Sequence, residues 1–260
     1  MNKILKISLI QADIIWENIE ANLSHFSDLL SRVEHDTDIV ILPEMFATGF
    51  TMNTIRLAEG FSDKIITWMS KSAAAYNFAI TGSLIFSADN RIFNRLIWMN
   101  PSGKFTFYDK RHLFRMGMEN KHYSPGNSKL IIDFGEWKIC PLICYDLRFP
   151  VWSRNAEGYD LLIYVANWPS VRSDVWNTLL KARAIENQCF IAAVNRVGKD
   201  GEEIDYSGES MILDPHGQLL THASENKEMV ISASIDLDKL NDFRKKFPVS
   251  KDADRFEIID

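Results

Sequence analysis

Apolar segments alternate with amphipathic segments along most of this chain. The runs at 5–11, 38–42 and 160–165 are rich in apolar residues and short enough to be buried strands. Residues 19–33 repeat apolar side chains at helical spacing, and residues 174–187 form the clearest predicted helix. Strands that alternate with helices in this way predict an α/β fold in which the helices cover the sheets.

The chain has more strands than a simple βαβ repeat would supply. Two hairpins are predicted, one within 92–108 and one within 129–143, and a short helix is predicted to begin at Pro150. Two stacked sheets with helices on both outer faces would bury all of these strands. We therefore predict an α-β-β-α sandwich formed as one domain by residues 1–260, with a C-terminal extension after about residue 236.

The charge balance argues against nucleic acid as a partner. The chain has 29 Lys and Arg against 35 Asp and Glu, a formal net charge of -6. Its densest basic group, within residues 110–115, is too small to follow a phosphate backbone. We expect a small molecule as the partner.

The sequence also predicts a cytoplasmic protein that is not inserted in a membrane. Lys3 and Lys6 interrupt the short apolar stretch at the start, which therefore does not resemble a signal peptide. No apolar run approaches the roughly 18 residues of a membrane-spanning helix. Three cysteines are too few for a disulfide framework, so a reducing compartment with free thiols is expected.

Three apolar strands each end at a reactive side chain. The segment DIVILPE ends at Glu44, KFTFYDK ends at Lys110, and KICPLIC ends at Cys144. Ligands of open α/β sheets bind beyond the carboxyl ends of the strands. A carboxylate, an ammonium and a thiol are therefore expected to meet in one crevice.

Cys144 is the candidate nucleophile. A sharp turn after its strand would expose the sulfur and free the backbone N–H of Tyr145 to stabilise an oxyanion. The alternative is a small apolar side chain at a strand end, which is the role expected for Cys140 and Cys189. Spacing alone does not decide between these roles.

Two neighbouring charges would serve such a thiol. Glu44 is a candidate general base, and Lys110 would lower the thiol pKa and stabilise an oxyanion. The alternatives are a capping glutamate and a solvated lysine at a strand end. Glu119 lies in a polar segment and has no distinguishing local signal.

Other kinds of site have little support. The sequence contains no glycine-rich nucleotide-binding pattern and no cluster with metal-ligand spacing, so neither a cofactor nor a metal is expected. A thiol hydrolase that uses a histidine base stays open, with His112 or His122 as that base. A binding protein with an idle pocket also stays open.

Three segments together resemble the nitrilase, or carbon–nitrogen hydrolase, superfamily. They are LPEMF at 42–46, YDKRHLF at 108–114 and LICYDLRFP at 142–150. The segments FATGF at 46–50 and YVANWP at 164–169 are similar to the bacterial ω-amidase branch, which acts on monoamides of 2-oxo dicarboxylic acids. The resemblance implies an α-β-β-α homodimer without a cofactor.

The resemblance also implies roles for four residues. Cys144 corresponds to the nucleophile, Glu44 to the general base and Lys110 to the lysine that stabilises the oxyanion. Glu119 corresponds to a second glutamate that orients the site and assists proton transfer. Another small amide, a carbamoyl amine or a nitrile as substrate is the alternative within the same superfamily.

Substrate-binding residues are predicted from the chemistry of a 2-oxo acid amide. Its far carboxylate needs a cation, for which Arg115, Arg148 and Arg172 are candidates, although Arg148 is expected rather to pair with a carboxylate such as Asp146. Three aromatic residues are predicted either to wall the pocket or to pack in the core: Phe46, Phe114 and Trp168.

Overall fold

The computed structural model describes residues 3–58 and 61–259. The strands of the first half are β1 (Ile4–Gln11), β2 (Ile39–Ile41), β3 (Ala79–Ala88), β4 (Arg91–Met99) and β5 (Phe105–Asp109). Those of the second half are β6 (Ile132–Phe134), β7 (Trp137–Ile143), β8 (Leu161–Ala166), β9 (Phe190–Asn195), β10 (Val197–Lys199), β11 (Asp205–Ser207), β12 (Met211–Leu213), β13 (Leu219–His222) and β14 (Met229–Asp236).

Helices connect and cover these strands. They are α1 (Ile19–Leu30), α2 (Thr54–Ala58), α3 (Ser62–Tyr76), α4 (Glu119–His122), α5 (Ser173–Asn187) and α6 (Leu237–Lys246). Short 3-10 helices span Arg115–Gly117, Cys144–Arg148, Ser170–Arg172 and Val249–Lys251. None of the helices in the described part of the chain is both long enough and apolar enough to cross a membrane.

Two six-stranded sheets form the centre of the protein. The first has the order β14-β1-β2-β3-β4-β5 and the second the order β13-β12-β9-β8-β7-β6, while β10 and β11 pair separately. Strand β14 runs antiparallel to β1, so segments from the two ends of the chain share one sheet. The predicted α-β-β-α sandwich is confirmed.

Side chains of β1 and β2 alternate between two apolar layers. Ile7 and Ile39 lie in the large cluster that also contains residues of the second sheet and of α5. Ile10 and Val40 point the other way, into a cluster shared with α1 and α3. Successive strand residues face opposite sides of a sheet, and here both sides are covered. This explains why most residues of these two strands are apolar.

One predicted helix is wrong. Residues 150–153 form turns, and the helical segment of this region is instead the 3-10 helix Cys144–Arg148. Pro150 follows that helix, where its ring and missing N–H prevent further helical hydrogen bonds. Helix α2 and the β10–β11 hairpin have no counterpart among the predicted elements.

A glycine positions the end of β5. The backbone N–H of Gly126 donates to the carbonyl oxygen of Lys110 at 2.9 Å. A Cβ atom at residue 126 would lie 2.1 Å from the carbonyl oxygen of Asp109, which is far inside van der Waals contact. Only glycine allows this approach of two backbones, and it fixes the strand end that carries Lys110.

Candidate active site

Lys110 lies at the end of β5 with its ammonium between two carboxylates. Its Nζ is 2.8 Å from Glu44 Oε1 and 3.0 Å from both carboxylate oxygens of Glu119. All three side chains are buried, with at most 1% of the side-chain surface exposed. The lysine is therefore not the solvated strand end that was its alternative role.

Glu44 follows β2 and is held by two asparagines. Asn94 Nδ2 donates to Glu44 Oε1 at 2.8 Å, and the backbone N–H of Asn167 donates to Glu44 Oε2 at 2.8 Å. The same Asn94 amide also donates to Glu119 Oε1 at 3.1 Å. Sequence reasoning missed both asparagines; a polar residue inside the apolar strand β4 was the available signal for Asn94.

Glu119 is buried, although it lies in a polar segment of the sequence. It begins the short helix α4, and its Oε2 accepts the backbone N–H of Phe114 at 2.6 Å. The segment between Lys110 and α4 folds back so that both carboxylate oxygens of Glu119 accept hydrogen bonds. A buried charge is stable only with such pairing.

Cys144 directly follows β7 and begins a 3-10 helix. Its φ is 42°, in the left-handed region that non-glycine residues rarely adopt. The residue is 9% exposed, and its Sγ donates to the carbonyl oxygen of Asn167 at 3.7 Å. Backbone strain of this kind is found at functional sites, where the surrounding contacts maintain it.

Burial is the largest influence on the pKa of the Cys144 thiol. Burial raises the pKa of Cys144 well above its usual value, and the charge and hydrogen bond of Glu44 raise it further. Lys110 lowers the pKa of the thiol, but this effect is smaller than that of burial. The resting nucleophile is therefore a neutral thiol that must lose its proton to a base during attack.

The pKa values of Lys110 and Glu119 depend on each other. Burial acts to lower the pKa of Lys110, but Glu119 and Glu44 outweigh it and raise that pKa above its usual value. Burial raises the pKa of Glu119, and Lys110 opposes that rise. Lys110 thus stays protonated throughout the physiological range and is a donor, not a base.

A cleft of about 840 Å³ opens onto Cys144 and Lys110. This is the size of a typical small-molecule site. Five other residues from the prediction line it: Phe114, Tyr145, Arg148, Trp168 and Arg172.

Two predicted binding residues lie elsewhere. Phe46 is fully buried and packs edge-on against Phe26 of α1, with 5.4 Å between ring centroids. Arg115 is exposed and is not part of the cleft wall. Phe46 is a core residue because it lies in the apolar cluster between the first sheet and helices α1 and α3.

The expected pairing of Arg148 with Asp146 is wrong. Asp146 accepts hydrogen bonds from Tyr108 and His112, while the Arg148 guanidinium lies 5.1 Å from the centroid of the Trp168 ring. Arg172 lies similarly over Phe114, at 5.5 Å. Among the described residues, neither arginine forms an ion pair, so both cations face the cleft without a carboxylate partner.

The candidate histidine bases are separated by the structure. His112 bonds to Asp146 and does not line the cleft, whereas His122 does line it.

Cys140 and Cys189 are core residues, and burial raises the pKa of both thiols. Within residues 3–58 and 61–259, no group of three or more His, Cys, Asp or Glu side chains is arranged to hold a metal ion.

One wall of the cleft was not anticipated. The β10–β11 hairpin contributes Asp200, Ile204 and Tyr206, and the Tyr206 hydroxyl donates to Asp200 at 2.7 Å. Gly201 packs against Trp16, since a Cβ atom there would lie 2.3 Å from the indole nitrogen. A short hairpin with several polar residues gives little sequence signal for such a role.

Known proteins resemble this chain over its whole length. Residues 6–245 match the carbon-nitrogen hydrolase family. The chain is 43% identical to the omega-amidase YafV of Escherichia coli (strain K12) over 254 residues, 98% of each protein. It is 32% identical to the 2-oxoglutaramate amidase of Bacillus subtilis (strain 168), over 95% of this chain and 96% of that protein.

A solved structure has the same fold. It is a CN-hydrolase superfamily protein from Xanthomonas campestris with an arsenic adduct in its active site. The TM-score is 0.96 at 41% sequence identity, and the alignment covers 99% of this chain and 100% of that one.

Proposed function

This chain belongs to the carbon–nitrogen hydrolase family, and we propose that it uses Cys144 to release ammonia from the ω-amide of small 2-oxo dicarboxylic acids. It is an ω-amidase, as its full-length similarity to such enzymes indicates. The observation that supports the catalytic assignment is the buried ammonium of Lys110, which bonds to Glu44 and Glu119 beside the Cys144 thiol.

The first half-reaction forms a thioester. Glu44 takes the thiol proton as the sulfur attacks the amide carbon, because the neutral thiol needs a base within hydrogen-bond reach. Lys110 and the backbone N–H of Tyr145 donate to the oxyanion that develops. The C–N bond then breaks, the proton passes to the leaving nitrogen, and ammonia departs.

The second half-reaction restores the enzyme. Glu44 takes a proton from water, and the hydroxide attacks the thioester carbon. The C–S bond breaks, the free acid leaves, and the sulfur regains its proton. Glu119 does not need to move protons in this sequence; it holds the ammonium of Lys110 and the backbone of Phe114 in place.

The far carboxylate of the substrate is bound by Arg148 and Arg172. Both guanidiniums lie over aromatic rings of the cleft, and among the described residues neither forms an ion pair, although Asp200, Glu202, Glu203 and Asp205 line the same cleft. Guanidinium groups bind carboxylates through paired N–H donors. The two cations therefore favour an acid amide over an uncharged amide.

Ammonia release from a panel of amides and nitriles tests the proposed function. We expect 2-oxoglutaramate and 2-oxosuccinamate to be hydrolysed fastest, and simple nitriles and carbamoyl amines to be poor substrates. Faster turnover of a nitrile, or no release of ammonia from any ω-amide, would contradict the proposal.

Loss of either cleft arginine should weaken the binding of acid amides. A hydrogen bond to a charged group contributes about 1.5–3 kcal/mol, so Arg148→Met or Arg172→Met should lower kcat/KM for 2-oxoglutaramate roughly 10- to 100-fold. Arg115→Met is the matched control, because Arg115 is exposed outside the cleft. Equal loss in all three variants, or in none, would contradict the assignment.

The proposed assembly is a cytoplasmic homodimer of single-domain subunits. Ile185 of α5 and Phe247 after α6 are large apolar side chains that are 55% and 62% exposed, which suits an interface. The free thiols of all three cysteines suit a reducing compartment. Light scattering in solution tests the dimer.

A further inference from the structure

Asp146 is a buried carboxylate that does not line the cleft, although it follows Cys144 by two residues. Its Oδ2 accepts the Tyr108 hydroxyl at 2.8 Å and the backbone N–H of Ile143 at 3.1 Å. Its Oδ1 accepts the backbone N–H of His112 at 3.0 Å and lies 2.8 Å from His112 Nδ1. One carboxylate therefore joins two separate segments of the chain, residues 108–112 and residues 143–146.

These partners flank two of the proposed catalytic residues. Tyr108 and His112 lie two residues before and two residues after Lys110, and Ile143 directly precedes Cys144. Strand β5 belongs to the first sheet and β7 to the second. The carboxylate thus connects the sheet that carries the lysine to the sheet that carries the thiol.

The donors are themselves held in place. The His112 ring stacks on Phe149 with 3.7 Å between centroids and an interplanar angle of 6°. The Tyr108 hydroxyl accepts Trp152 Nε1 at 3.0 Å and the backbone N–H of Arg111 at 3.2 Å. A network this well satisfied has one arrangement, so it can transmit a fixed geometry.

We propose that Asp146, with His112 as its ring donor, is a positioning residue that sets the place of the Cys144 sulfur relative to Lys110. The inference rests on Cys144 acting as the nucleophile. Cys144 has a positive φ, a conformation that the surrounding contacts must maintain. The bond from Ile143 to Asp146 holds the residue before it, and the bonds to Tyr108 and His112 tie that turn to β5.

The test measures Cys144 reactivity as well as turnover. In Asp146→Asn an amide N–H₂ replaces one acceptor oxygen. This N–H₂ group would then face N–H or O–H donors of Tyr108, His112 or Ile143 and could not bond to them. We expect kcat to fall on the order of 10²-fold with little change in KM, because small misplacements of reacting groups have effects of this size. The rate of Cys144 alkylation by iodoacetamide should fall as well.

Asp160→Asn is the matched control. Asp160 is also a buried aspartate of the second sheet, but it bonds to Arg244 and to the backbone of Lys138, away from the cleft. Its loss should lower the melting temperature and leave kcat and the alkylation rate per folded molecule unchanged. If Asp146→Asn behaves in the same way, its role is structural only and the inference is wrong.

A pair of His112 variants decides the question if Asp146→Asn does not fold. His112 is partly exposed, so its replacement is better tolerated. His112→Ala should slow both turnover and alkylation, and His112→Asn should restore much of both, because an asparagine amide can donate where Nδ1 does. Unchanged alkylation in His112→Ala would overturn the inference, and so would a failure of Asn to rescue, because donation to Asp146 would then not be what positions the thiol. Since alkylation needs no substrate, it tests positioning even if the proposed amides are not hydrolysed.

Discussion

Replacement of Cys144 by serine should abolish turnover and leave the fold intact. The two side chains have nearly the same size, and the positive φ of residue 144 is equally strained for both. A hydroxyl is far less acidic than a thiol, and the site already raises the pKa of the group at this position through burial and through Glu44. A glutamate is a weak base for such a hydroxyl, so kcat should fall at least on the order of 10³-fold.

The measurements are ammonia release and the melting temperature, with Cys140→Ser as the matched control. Cys140 lies four residues earlier on β7, fully buried among apolar side chains. A serine hydroxyl there lacks a ready partner, which should cost about 1–3 kcal/mol of stability. The control should therefore lose stability and keep its activity per folded molecule, the opposite of Cys144→Ser.

A covalent acyl group on Cys144 provides a second check. Mass spectrometry of the wild-type enzyme, quenched during turnover of 2-oxoglutaramate, should find the acyl mass on the peptide that contains Cys144. Near-normal turnover by Cys144→Ser, or an acyl group on Cys140 or Cys189, would contradict the mechanism.

Much of the central architecture was predictable because it depends on local pattern. Apolar runs covered on both faces, such as β1 and β2, indicate buried strands, and the residues that follow them must lie at a sheet edge. This is why Glu44, Lys110 and Cys144 stood out. The same reasoning cannot tell which edge of one sheet lies next to which edge of the other. Only the resemblance of the motifs therefore predicted that Glu44, Lys110 and Cys144 share one site.

Other parts of the site depend on tertiary contacts that the sequence does not encode locally. Glu119 lies in a polar segment, and it is buried because the chain between Lys110 and α4 folds back over the cleft. Asn94 and Asp146 act through partners that are distant along the chain. The net rise in the Cys144 pKa could not be predicted, because burial outweighs the lowering by Lys110 and its depth cannot be read from a strand-end position.

Removal of the Lys110 ammonium should affect both catalysis and stability. Lys110→Met keeps the length of the side chain and removes a donor to the oxyanion, which should cost about 2.7–4 kcal/mol of transition-state stabilisation, or roughly 10²- to 10³-fold in kcat. It also leaves Glu44 and Glu119 buried without their cation. Breaking a buried ion pair costs on the order of 3–5 kcal/mol.

The loss of stability should depend on pH in a defined direction. Lys110 opposes the rise in the Glu119 pKa that burial causes, so its removal raises that pKa further. An acid whose pKa is higher in the folded protein than in the unfolded chain makes the folded protein bind more protons. The stability of the protein therefore falls as the pH rises from the unfolded pKa of that acid to its folded pKa. The melting temperature of Lys110→Met should therefore recover relative to wild type as the pH is lowered through the raised Glu119 pKa toward the ordinary pKa of a glutamate.

Lys121→Met is the control, since Lys121 is exposed two residues after Glu119. It should match the wild type in kcat and in the pH dependence of melting, measured by ammonia release and by thermal unfolding. A Lys110→Met enzyme with near-normal turnover would remove the lysine from the mechanism. If its stability deficit grew on acidification instead, Glu119 would not be the group whose pKa Lys110 holds down.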